Sequence, residues 1–165
     1  MNTIEYIKLS LEISRGWAMG LIADMQEMPL VQPTAKGGNH PLWVLGHIVW
    51  AESNLLDCFI QGKPNRFPDV ELKFGMGTTP STDASQYPSM DELMSTFEEI
   101  RAASLAYLDT MSEEDLERPS NAPEEFGPGF AKVAGCFTAM TIHPIFHAGQ
   151  VADARLVAGK QPLLG

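Results

Sequence analysis

Four segments of this chain repeat apolar residues at helical spacing, with proline- and glycine-rich stretches between them. No apolar/polar alternation of useful strand length competes with that pattern. This restricts the fold to an all-α class. The first segment runs from about Thr3 to Met25, with Ile4, Ile7, Leu11, Ala18, Ile22 and Met25 in one stripe. The second opens at "GGNHPLWVLGH", where Asn39 reads as the N-cap and Pro41 falls in a first turn that tolerates it. It runs to about Ile60 and stops before Gly62 and Pro64. The third starts where Ser89 and Glu92 fit a capping box, and Leu93, Phe97, Ile100, Leu108 and Met111 form its core stripe. A short "SEEDLE" turn and the loop "RPSNAPEEFGPG" lead to the last, about Phe130 to Ala158, with Gly159 and Pro162 as stop signals. The expected architecture is a four-helix bundle, one domain over residues 1–165. Residues Gly62 to Pro88 are too long and too rich in turn formers for a tight hairpin. They can hold a long crossover, so helices two and three need not be antiparallel.

The first helix has more apolar surface than one packing face uses. Besides its main stripe it carries Tyr6, Leu9, Ile13, Trp17 and Leu21 round the side. Two uses fit that surplus: the interface of a homodimer, or packing beneath the long crossover.

Charge removes whole classes of partner. Twenty-one acids against 11 bases leave a net charge of −10, with no basic patch to offset it. Such a surface repels polyanions, so neither nucleic acid nor an anionic membrane is an expected partner. No apolar run reaches the ~18 residues of a membrane span. The first residues, "MNTIEYIKLSLEIS", mix acids with apolar residues and do not read as a signal peptide. Cys58 and Cys136 make no disulfide framework and read as reduced thiols of a cytoplasmic protein.

Two of the four histidines, His143 and His147, stand four residues apart in "IHPIFHAGQ". That spacing puts them on one helix face with Cβ atoms roughly 5–6 Å apart, close enough to share a metal ion. The metalloprotease pattern His-Glu-x-x-His is absent, because Pro144 stands at the Glu position. Their stripe also holds Cys136, Met140, Gln150 and Ala154, so both rings point inward. Hydrogen-bonded core histidines and a metal pair fit that placement equally. A site inside a bundle draws ligands from a facing helix. His47 lies on the interior-looking face of helix two with Trp43, Trp50, Ala51, Asn54 and Cys58. His40, seven residues earlier, is about 10 Å away along the helix. It reads as exposed or capping, which leaves His47 as the better ligand. Pro144 is expected to kink the last helix and re-aim His143, to break it, or to be tolerated where neighbours satisfy the Met140 carbonyl. Gly149 reads as a close-packing position, and Gln150 as a hydrogen-bond donor behind the site, a contact to a bound cofactor or substrate, or equally a packing residue.

"NHPLWVLGHIVWAE" in helix two and "HPIFHAGQVADARLVAG" in helix four together resemble the DinB-like superfamily of metal-dependent enzymes. The resemblance covers most of the chain in its order of helices and loops. It is most specific in His47 and the His-x-x-x-His-x-Gly-Gln run. It implies a bundle of up-down-down-up order with a three-His divalent metal site formed by His47, His143 and His147. It also implies dimers in many members, and thiol-dependent transferases and isomerases among the reactions.

Three neutral imidazoles leave an open coordination position, which is the pattern of catalytic rather than structural sites. Imidazole suits several ions, and zinc or nickel is the expectation here. Hydrolysis also needs a general base. Helical spacing turns Glu52, Asp57 and Asp153 away from the histidines, leaving Glu98, Glu99 or an acid of the long loop as candidates. A low-molecular-weight thiol as cofactor needs less, because the ion itself holds the thiolate. Thiol-dependent S-transfer on a small-molecule substrate therefore stands ahead of a metal-dependent hydrolase. A non-catalytic protein that binds a metal or small molecule is the reading from a different class.

Overall fold

The computed structural model describes residues 1–162. Among these residues the ordered elements are helical and there is no strand. Four long helices carry the fold: α1 (Thr3–Ala23), α2 (Pro41–Ser53, continued by a π-helical stretch Asn54–Ile60), α4 (Met90–Leu108) and α6 (Val133–Val157). The crossover between α2 and α4 folds a short helix of its own, α3 (Pro68–Phe74), and a single-turn α5 (Glu113–Leu116) follows α4.

The helix starts are set by local chemistry. Asn2 and Glu5 form a reciprocal capping box on α1, as Ser89 and Glu92 do on α4. Ser112 and Asp115 do the same for α5. For α2 the sequence expectation is corrected: the N-cap is His40, not Asn39. The His40 Nδ1 accepts the backbone N–H of Trp43 at 3.1 Å, while the carboxamide of Asn39 is engaged elsewhere. His40 is fully buried, so the exposed alternative for it also fails. The last helix begins at Val133 rather than Phe130, because a 3₁₀ turn, Pro128–Phe130, occupies the approach. It then continues through Pro144 to Val157 without a break.

Every residue of α2 from Pro41 to Ser53 is buried. A helix apolar all round must be enclosed all round; α4, α3, α6 and α1 all pack against it. Enclosure leaves Glu52 in the interior, where the guanidinium of Arg101 on α4 holds it through two bonds of 2.9 and 2.7 Å. Ser104 Oγ donates a third bond to Glu52, and Arg101 also donates to the Leu11 carbonyl.

α1 packs mainly along α6. Leu11, Ala18, Ile22 and Met25 are fully buried, and Ile4 and Ile7 pack at the edge of the core. Tyr6, Leu9, Ile13 and Trp17 stay about half exposed, so the crossover does not cover them. No helix among the described residues is long and apolar enough to cross a membrane.

Candidate metal centre

The burial of α2 fixes where His47 can go. Its ring lies 5.0 Å from that of His143 and 4.9 Å from that of His147, centroid to centroid. The four-residue spacing on α6 brings the Nε2 atoms of His143 and His147 to 3.1 Å. One ligand nitrogen from each of the three rings lies within 4.8 Å of the others. Among the described residues this is the group of histidine, cysteine or acidic side chains placed to hold a metal ion.

Two of the rings are oriented from behind. His47 Nδ1 is 2.7 Å from the carbonyl of Phe74, so it carries the proton and its Nε2 keeps a free lone pair. His147 Nδ1 is 2.9 Å from Gln150 Oε1, which holds the same tautomer as long as that oxygen faces the ring. The indoles of Trp43 and Trp50 flank His47, with ring centroids at 4.7 and 5.4 Å.

Beside this carbonyl contact the Phe74 ring packs directly on Gly46 of α2. A Cβ at position 46 would stand 2.4 Å from the Phe74 ring. That ring cannot swing aside freely, because it is buried and stacked on Tyr87 at 5.2 Å. Gly46→Ala is therefore expected to destabilise the fold by about 1–3 kcal/mol, the usual cost of overpacking. Denaturant unfolding monitored by circular dichroism measures it. A loss below a few tenths of a kcal/mol would show that α3 moves aside without cost.

The cluster is neutral at physiological pH. Burial, with repulsion from His147 and His47, pushes the His143 imidazole down to about 3. Burial lowers His47 to about 4 against the opposing pull of the Phe74 carbonyl. Burial also lowers His147, and the hydrogen bond to Gln150 opposes it. Neutral imidazoles are the form that donates to a metal.

The donor set fits a divalent ion. Imidazole nitrogens bind zinc at ~2.0–2.1 Å, so two of them on one tetrahedral ion stand about 3.4 Å apart. The 3.1 Å between His143 and His147 is close to that separation.

Neither the acids turned away by helical spacing nor the candidate bases Glu98, Glu99 and the loop acids stand among the histidines. Glu52 pairs with Arg101, Asp57 with Arg66, and Glu98 with Arg15 on the surface. Glu99 is exposed, and Asp83 in the crossover caps the turn Ala84–Gln86. Among the described residues no carboxylate joins the histidine cluster. Gly149 is exposed and a Cβ there would meet nothing within 4 Å, so it is not a close-packing position.

The DinB superfamily profile matches residues 10–151, which takes in all three histidines. The chain belongs to the DinB superfamily. A structure of a conserved protein from Enterococcus faecalis is similar over 97% of this chain and 99% of that one, with a TM-score of 0.71 at 15% identity. At that identity the likeness carries the fold alone. No curated protein matches the chain. Superfamily membership and the three-His cluster are compatible with a metal-binding protein.

Proposed function

We propose that His47, His143 and His147 bind one divalent ion, zinc or nickel, and that the bound ion serves a thiol-dependent transfer reaction on a small molecule. The observation that carries the reading is the convergence of three neutral imidazoles with no carboxylate among them. An ion held by three neutral ligands keeps its Lewis acidity and an open position, and there it stabilises a thiol as its thiolate. Hydrolysis asks in addition for a positioned base, and among the described residues no carboxylate joins the histidine cluster. The protein's own part is to aim the imidazoles and, through Trp43, Trp50 and the Phe74 segment, to enclose them. Two free cysteines, one of them buried, accord with a reducing, cytoplasmic setting.

Cobalt or nickel substitution tests the reaction class. A biological thiol added to the loaded protein is expected to produce a thiolate-to-metal absorption band. If no thiol in a panel perturbs the spectrum, the hydrolytic or non-catalytic binding reading replaces this one.

The same reading includes a homodimer. Ile13 and Trp17 on α1 line an apolar groove of about 970 Å³, walled on the α6 side by Ile145, Ala152 and Leu156, and Tyr6 is exposed on the same helix. Apolar patches of that kind on a helical surface mark association sites. Sedimentation equilibrium at micromolar concentration is expected to give twice the 18.1 kDa chain mass. A single species at the monomer mass would rule the dimer out.

A further inference from the structure

Asn39 stands just outside the helix that the sequence assigned it to cap. Its side chain instead reaches 111 residues along the chain, where Nδ2 donates to Gln150 Oε1 at 3.1 Å. The same oxygen faces His147 Nδ1 at 2.9 Å. A carboxamide oxygen has two lone pairs and no proton. With both neighbours on that oxygen, both must be donors, so His147 carries its proton on Nδ1.

The alternative arrangement is internally consistent as well. Were Gln150 turned so that its NH₂ faced both groups, Asn39 would have to accept and His147 Nδ1 would have to be bare. The proton of a neutral ring would then sit on Nε2, the atom that faces His143. A group at position 39 that donates holds the first arrangement, and one that can only accept forces the second.

We propose that Asn39 is a positioning residue for His147, acting through the carboxamide of Gln150 to keep the Nε2 lone pair facing the other two histidines. Asn39 sits immediately before His40, which caps α2 and also bonds the Ser81 carbonyl of the crossover at 2.8 Å. The pair Asn39–His40 therefore joins α6, the start of α2 and the crossover at one point. The metal-binding consequence rests on the three-His reading above; the tautomer itself does not.

Two isosteric substitutions separate polarity from shape. Asn39→Asp replaces the donor by an acceptor, which Gln150 can satisfy only by presenting its NH₂. Gln150→Glu keeps an acceptor for both Asn39 and His147. Each adds one negative charge, at position 150 directly on the His147 ring and at position 39 one hydrogen bond further away, and Asn39→Ala, which adds none, separates charge from polarity. Long-range ¹⁵N–¹H correlation spectra of chelator-treated, ¹⁵N-histidine-labelled protein at neutral pH report which ring nitrogen is protonated.

The wild type and Gln150→Glu are expected to show His147 protonated on Nδ1, and Asn39→Asp to shift it to Nε2. Zinc titration by calorimetry is expected to show about a 10-fold or greater loss of affinity in Asn39→Asp, in the range found for partners behind metal-bound histidines. An Nε2-protonated His147 in the wild type, or an unchanged tautomer in Asn39→Asp, overturns the proposal. Should Asn39→Asp not fold, Asn39→Ala takes its place: loss of the donor is expected to give a mixture of tautomers, and a pure Nδ1 form is the overturning result. Wild-type zinc affinity in His147→Ala would instead overturn the three-His reading and leave the tautomer result standing.

Discussion

His47→Ala and His147→Ala are each expected to weaken zinc or nickel binding by more than about 100-fold, beyond what loss of a supporting hydrogen bond causes. Two remaining imidazoles do not hold an ion in competition with water. His40→Ala is the informative contrast. It removes the α2 cap and the link to Ser81, so thermal stability falls, by about 1 kcal/mol for the cap alone. Metal affinity is expected to change less than about 10-fold, because His40 lies two turns from His47. Calorimetric titration of the three variants measures these effects. Wild-type affinity in His147→Ala, or loss of binding in His40→Ala alone, would mean that other residues hold the ion.

The pH dependence of binding has a definite sign. Protons compete with metal for an imidazole lone pair only below its pKa. An ordinary histidine would lose metal as pH falls through about 6.5. Burial moves His143 down to about 3 and His47 to about 4, so proton competition at these two sets in at lower pH than for solvent-exposed imidazoles.

The second large effect lies away from the histidines. Arg101→Met leaves Glu52 buried, with a single Ser104 hydroxyl in place of its guanidinium partner. Breaking a buried pair by removing one member costs about 3–5 kcal/mol. For a chain of this length that lowers the thermal midpoint by about 10 °C. The double variant Arg101→Met, Glu52→Leu is expected to recover most of the loss, because no unpaired charge is left inside. Thermal unfolding of both variants tests this; a single variant within 1 kcal/mol of wild type would show that water reaches Glu52.

Periodicity and capping chemistry made much of this legible in the chain. The Ser89–Glu92 box, the last helix and the half-exposed side of α1 all follow from residues a few positions apart. The three-His convergence followed from spacing and from the family resemblance together. What escaped depended on contacts far along the chain. His40 displaced Asn39 as the cap of α2 because Asn39 is held by Gln150, 111 residues away. The π-helical turns of Asn54–Ile60 and the helix inside the crossover carry no local signature comparable to a cap. Spacing turns Glu52 away from the histidines, but its partner Arg101 lies on another helix, which spacing does not encode.

The acceptor that aims His47 is a main-chain carbonyl, and the residue at position 74 supplies it whatever its side chain. No codon spells that hydrogen bond. A mutational screen for lost metal binding would therefore find little at position 74 as an acceptor. A nearer trace would appear one residue before the ligand, at Gly46, where an added side chain runs into the Phe74 ring.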